Sequence, residues 1–117
     1  MPATDSDRVN AFCSVRDWDQ FHSPDQLAIG LATESAELLA LFRFKTPDQV
    51  KSLMSSPEGR TKVSDELADV YFFLLRFAQM NQIDLSNALD AKLAKNEAKY
   101  PVGRSKGSNA KYDELPQ

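Results

Sequence analysis

The sequence predicts an all-α fold, and three observations carry that expectation. No run of alternating β-branched residues is bounded by hairpin turn chemistry, helix-start signals recur along the chain, and two long segments repeat one apolar pattern at helical period. With 117 residues, 42% hydrophobic and 26% charged, residues 1–117 are expected to form one domain around one core.

A first short helix is expected from about Ser6 to Asp17, with Val9, Phe12 and Cys13 along one side. The second opens at Ser23-Pro24-Asp25-Gln26, where Ser23 can cap, Pro24 suits the first turn and Gln26 can complete a capping box. It should run to about Phe44. Thr46-Pro47-Asp48-Gln49 repeats the start signal for a short third helix that ends before Ser55-Ser56-Pro57 and serves as the connector of a hairpin. A fourth, long helix is expected over Glu58 to Asn81. The fifth starts with Asp84 as N-cap and stops at Tyr100, because Pro101 disfavours helix before it. From about 101 to 117 an irregular tail follows.

The net charge of -3 lacks the basic excess of a nucleic-acid binder, so no nucleic-acid partner is expected. No stretch is apolar enough to span a bilayer, and Met1 to Asp7 do not resemble a signal peptide, so no membrane partner and a cytoplasmic location are expected. Cys13 is the single cysteine, a packed thiol rather than a nucleophile. A chain this short covers its own apolar surface incompletely, which makes self-association an expectation.

On the second helix Leu27, Leu31, Leu38 and Leu41 form one stripe, and Glu34 with Glu37 falls inside it. On the fourth, Val63, Val70, Phe73 and Phe77 form the stripe, with Glu66 and Asp69 inside it. The offsets match: an apolar residue stands three before the first acid of each pair, four after it and seven after it. If the stripes pair antiparallel, four carboxylates converge. Two like charges 5 Å apart repel by roughly 3 kcal/mol at an effective dielectric near 20. Either some acids are protonated, or bases pair with them, or cations sit among them. The nearest basic cluster is displaced onto the fifth helix, which favours the cation. An all-oxygen site suits Mg2+, with Mn2+ as a substitute. A di-iron bundle would want Glu-x-x-His pairs, and His22 lies outside both motifs.

On the fifth helix the face of Leu85, Ala88 and Leu89 continues as Lys92, Lys95, Asn96 and Lys99. Of these, Lys92, Asn96 and Lys99 have the spacing to line a phosphate groove, or equally to form a solvated face near a helix C-terminus. The segment Arg16 to His22 holds the only tryptophan. Trp18 and Phe21 can sandwich a nucleobase or plug the end of the bundle. His22 reads as a polar bridge beside the Ser23 cap.

Glu34-Ser-Ala-Glu37, 28 intervening residues, then Glu66-Leu-Ala-Asp69 resembles the metal-binding signature of the all-α nucleoside triphosphate pyrophosphohydrolases, the MazG-like superfamily. Arg16 to Pro24, Asp65 to Val70, Lys92 to Pro101 and Lys111 to Leu115 are similar to its dCTP-pyrophosphatase-related branch. The resemblance implies a four-helix-bundle-type fold assembled from helical hairpins of several subunits, a homotetramer built as a dimer of dimers. It also implies a Mg2+-dependent house-cleaning enzyme that cleaves a nucleoside triphosphate between the α and β phosphates. By position, Glu34, Glu37, Glu66 and Asp69 would be the catalytic metal ligands. Lys92, Asn96, Lys99 and Tyr100 would hold phosphates, and Trp18 with Phe21 would face the base.

Two positions depart from the animal dCTP enzymes: Phe44 stands where they carry a tryptophan, and Val9 where they place a base-contacting histidine. Cytosine deoxynucleotides lead as the expected substrate, with deoxyadenosine or modified-base triphosphates behind. The alternatives are a non-catalytic helical interaction module and a phosphoribosyl-ATP pyrophosphohydrolase.

Overall fold

A computed structural model describes residues 2–116; Met1 and Gln117, the two ends of the expected domain, lie outside the described residues. The chain is 74% helical with no strand among the described residues, as the patterning predicts. It divides into two compact units, one ending at Gln82 and one beginning at Ile83.

Helix α1 spans Asp5–Ser14 and starts a residue early because Thr4 and Asp7 form a capping box. It stops at Ser14 rather than Asp17, since Asp17 adopts a left-handed φ of 56°. One 3-10 turn, Asp19–Phe21, leads to α2, Pro24–Ala40. The capping box expected at Ser23 does not form. Ser23 holds cap geometry through its backbone (φ -69°, ψ 158°), with Pro24 in the first turn. Helix α2 ends at Ala40 rather than near Phe44, where turns take over and Phe44 itself sits at φ 62°. Helix α3, Pro47–Ser55, carries the full Thr46–Gln49 capping box, and α4, Pro57–Met80, is capped by the Ser56 hydroxyl, which accepts from Gly59 N.

The two predicted stripes meet. Helix α2 packs on α4 over the most extensive interface of the first unit, with α1 and α3 also laid on α4. Gly30 lies against the Phe73 ring while Glu34 meets Glu66 and Asp69, so the two long helices run antiparallel. A Cβ at Gly30 would fall 2.3 Å from that ring, and one at Gly59 only 1.9 Å from the Leu53 carbonyl oxygen. These two glycines let α2 and α3 approach α4 closely. Leu27, Val63, Ala78 and Cys13 are buried.

In the second unit α5 spans Leu85–Lys99, with the Asp84 carboxylate accepting from Asn87 N. The tail is more ordered than expected. It contains a one-turn helix α6, Val102–Ser105, and a 3-10 turn, Tyr112–Glu114, elements too short to leave a periodic signal.

Candidate metal centre

Antiparallel pairing of the stripes brings the acids of two helices to one place. Glu34 of α2 and Glu66 and Asp69 of α4 each offer a carboxylate oxygen, all within 4.8 Å of one another. Glu34 and Glu66 are half-buried and Asp69 is exposed. Glu37 is exposed, but its charge reaches Glu66. Partial burial, then the charges of Glu37, Asp69, Glu34 and Asp65, raise the Glu66 carboxyl above its ordinary value of 4.5. No cation among the described residues pairs with these carboxylates. Among the described residues the ion pairs are Arg8–Asp5 and Arg76–Asp19. An all-oxygen set of mutually repelling carboxylates matches the chemistry of a hard divalent ion and leaves no nitrogen or sulfur donor to favour a softer one.

Beside this cluster a cleft of about 460 Å³ opens between α1 and α4, and Asp69 belongs to both. Its walls are Val9 and Phe12 on one side and Ala68, Phe72 and Phe73 on the other, with Asp5, Arg8 and Tyr71 among its polar lining. The Tyr71 hydroxyl donates to Asp5 at 2.9 Å, and Asp5 also accepts from Arg8 at 3.2 Å. Aromatic edges run outward from the cleft: Phe73 to Phe72 at 5.4 Å, Phe72 to Phe12 at 6.1 Å, Phe12 to Trp18 at 5.6 Å.

A family model described as MazG-like matches residues 29–115, which include all four acids. The chain belongs to the MazG-like family. Within it, the chain is 37% identical over 105 residues to dCTP pyrophosphatase 1 of Bos taurus and equally to that of Homo sapiens. Each alignment covers 90% of this chain, which spans 62% of the length of those relatives. Among solved structures, a pyrophosphatase from Archaeoglobus fulgidus superposes with a TM-score of 0.74 at 33% identity, covering 81% of this chain and 87% of that one. These findings agree with the MazG-like resemblance and its dCTP-pyrophosphatase-related branch.

The remaining expected residues of this MazG-like chain divide between the units. Trp18 stands at the outer end of the aromatic series, 38% exposed, with His22 as its other ring neighbour at 6.1 Å. Phe21 is 63% exposed and has no ring partner among the described residues. In the second unit Lys92, Asn96 and Lys99 share one face of α5 at helical spacing. Lys99 Nζ lies 4.9 Å from the Tyr112 ring centroid, and Tyr112 N donates to the Tyr100 hydroxyl at 3.2 Å.

Sequence reading missed Arg76, the one fully buried charge in the chain among the described residues. It also named no partner for His22, which it expected only as a polar bridge beside the Ser23 cap. The imidazole accepts from Arg76. The available signal was the spacing Phe73-x-x-Arg76, which sets the arginine one turn beyond a stripe residue on an inward-leaning face.

Proposed function

We propose that this chain hydrolyses nucleoside triphosphates, with deoxycytidine-type triphosphates leading, between the α and β phosphates to give the monophosphate and pyrophosphate. The observation that carries this reading is the gathering of Glu34, Glu66 and Asp69 within 4.8 Å with no cation among the described residues paired to them. Glu37 completes the acidic set, and Mg2+, or Mn2+ in its place, is the ion that these oxygens suit. When bound, that ion supplies charge neutralisation at the phosphate oxygens and polarises the attacking water. Whole-chain activity and substrate in the relatives' names support the reaction class.

The chain's own groups divide the remaining tasks. A carboxylate of the cluster orients the water for in-line attack on the α-phosphorus. Its proton passes to that carboxylate, the α–β bridging bond breaks, and pyrophosphate leaves. The apolar cleft that shares Asp69 accepts the base, with Trp18 at the outer end of its aromatic series and Phe21 as a further contact to the base. Lys92, Asn96, Lys99 and Tyr100 offer the cationic and donor groups for the outer phosphate oxygens. Homotetramer assembly belongs to the same reading, supported by apolar side chains left open on α2 and α4: Ile29 at 55%, Leu39 at 65% and Leu67 at 50% exposure. No helix of the described residues is long and apolar enough to cross a membrane, and we place the reaction in the cytoplasm, as pool house-cleaning requires.

The test is pyrophosphate release from a panel of deoxynucleoside triphosphates with Mg2+. Glu66→Gln is expected to lower the rate at least about a hundredfold, the upper end of what loss of a mere supporting partner costs a metal site. Full activity after Glu66→Gln or Asp69→Asn would overturn the reading. Turnover of phosphoribosyl-ATP alone would move the chain to the other hydrolase class, and no turnover with no metal binding would leave an interaction module.

A further inference from the structure

Arg76 has no exposed surface, and the proposed reaction assigns it no task. A guanidinium carries five N–H donors and is tolerated in the interior only where acceptors are arranged around it. Here they come from three parts of the first unit. Nε donates to His22 Nδ1 at 2.8 Å, one terminal nitrogen to Asn10 Oδ1 at 3.1 Å and Gln79 Oε1 at 2.7 Å, and the other to Asp19 Oδ1 at 2.5 Å. Gln79 extends the clasp by donating to the carbonyl and hydroxyl of Ser6 at 2.7 and 2.8 Å. Helix α1 is thus tied to α4 at Ser6 and Asn10, and the turn that carries Trp18 is tied at Asp19 and His22.

We propose that Arg76 is a positioning residue for the cleft between α1 and α4. By gripping Asn10, Asp19 and His22 together it fixes Val9 and Phe12 opposite Phe72 and Trp18 beside Phe12, and its bond to His22 makes that grip releasable by a proton. The claim that this affects substrate rests on the cleft accepting the base. The positional claim stands on the contacts alone. Asn10 neighbours the cleft residue Val9, and the Phe12 ring touches both Trp18 and Phe72. A shift of α1 therefore alters the cleft wall and the indole together.

The proton sensitivity follows from the direction of one bond. His22 accepts at Nδ1, so its proton sits on Nε2; the imidazolium has no free lone pair and would add a second cation beside Arg76. The ionisable groups that act on it are Arg76 from α4 and Asp19 from its own turn, and the same two act on the Cys13 thiol of α1, which burial pushes up. Burial and Arg76 hold His22 below its ordinary value, with Asp19 opposing.

Trp18 is the only tryptophan, so indole emission reports this place alone. In the full chain without substrate, emission is expected to redden and weaken as pH falls below about 6.5, histidine's ordinary value, and through the lowered value of His22. His22→Gln, whose amide oxygen can accept from Arg76 but does not titrate, is expected to keep the neutral emission throughout. Arg76→Met is expected to show the reddened emission already at neutral pH. It should also raise KM for the deoxynucleotide about tenfold with kcat changed less than about threefold, as loss of binding geometry requires, and Arg76→Lys should recover part of both.

A folded Arg76→Met protein with wild-type emission and KM would overturn the proposal. Should Arg76→Met not fold, His22→Gln decides: an acid transition unchanged from wild type overturns it. Absence of pyrophosphate release from every deoxynucleotide would sink the proposed function and leave the emission results standing. Normal turnover with unmoved emission would sink the positioning role alone.

Discussion

Around Arg76 every named acceptor meets a donor, whereas two to three turns back along α4 the oxygens of Glu34, Glu66 and Asp69 face one another with no cation among the described residues paired to them. Both clusters bridge α4 to a second segment of the same unit, and both are invisible to a count of apolar contacts. One is a completed network that ties segments together. The other is a repulsion held in place by the stripe of Leu27, Leu31, Val63 and Phe73 around it. A fold keeps such repulsion only when packing over-determines it, and sites of this kind are where ligands are bound.

The largest expected effect breaks the comparison from the completed side. Arg76→Met should cost about 3–5 kcal/mol, measured by urea denaturation, because His22, Asn10 and Gln79 lose their donor at about 1–3 kcal/mol for each buried acceptor, while Asp19, 56% exposed, turns to water. Glu66→Gln should do the reverse and raise the stability of the metal-free protein, since it removes one of the repelling charges. Equal losses from both would erase the distinction. Next in size is the response to metal. Mg2+ at a hundred times its dissociation constant should stabilise wild type by about 2.7 kcal/mol. Glu66→Gln should show little of that gain in the same thermal scan.

The pH dependence separates the clusters by sign. Glu66 titrates above its ordinary 4.5 in the folded, metal-free chain. Its stabilising contribution is therefore complete below about pH 4.5 and lost as pH rises through the folded value. His22 titrates below its ordinary 6.5, so its contribution is complete above about pH 6.5 and lost as pH falls through the folded value. Thermal unfolding across this range should show an acid limb that His22→Gln flattens and a rise toward low pH that Glu66→Gln removes. A single variant that abolished both limbs would mean that the two clusters are coupled.

The acidic cluster was legible because helical periodicity is local: matching offsets of Leu, Val and Phe around two acidic pairs fix which way the first acid of each pair points. Three residues on, the second acid is turned about 60° toward the margin of the stripe, which is why Glu37 and Asp69 end up exposed. The Arg76 clasp was not legible. Its partners Asn10, Asp19 and His22 lie 54 to 66 positions away, and no spacing rule links a helix interior to a distant turn. The helix ends at Ser14 and Ala40 were missed for a related reason, since nothing at Asp17 or Phe44 announces a left-handed backbone in advance.

Phe44 offers the smallest expected effect and the finest discrimination. It is 90% exposed at φ 62°, with Arg43 stacked 4.6 Å from its ring. Left-handed backbone costs a bulky L-residue about 1–2 kcal/mol. Phe44→Gly removes that strain, but it adds about 0.5–1 kcal/mol of backbone entropy to be lost on folding and forfeits a surface cation–π contact of about 0.5–1 kcal/mol. The terms nearly cancel, so denaturation should find the variant within about 0.5 kcal/mol of wild type. A ring that supported the core would lose about 3–5 kcal/mol on truncation. A loss of that size would mean that Phe44 packs against something in solution, and a second copy of the chain seated over the turn between α2 and α3 would be the occupant to look for, by whether the loss shrinks as the protein is diluted.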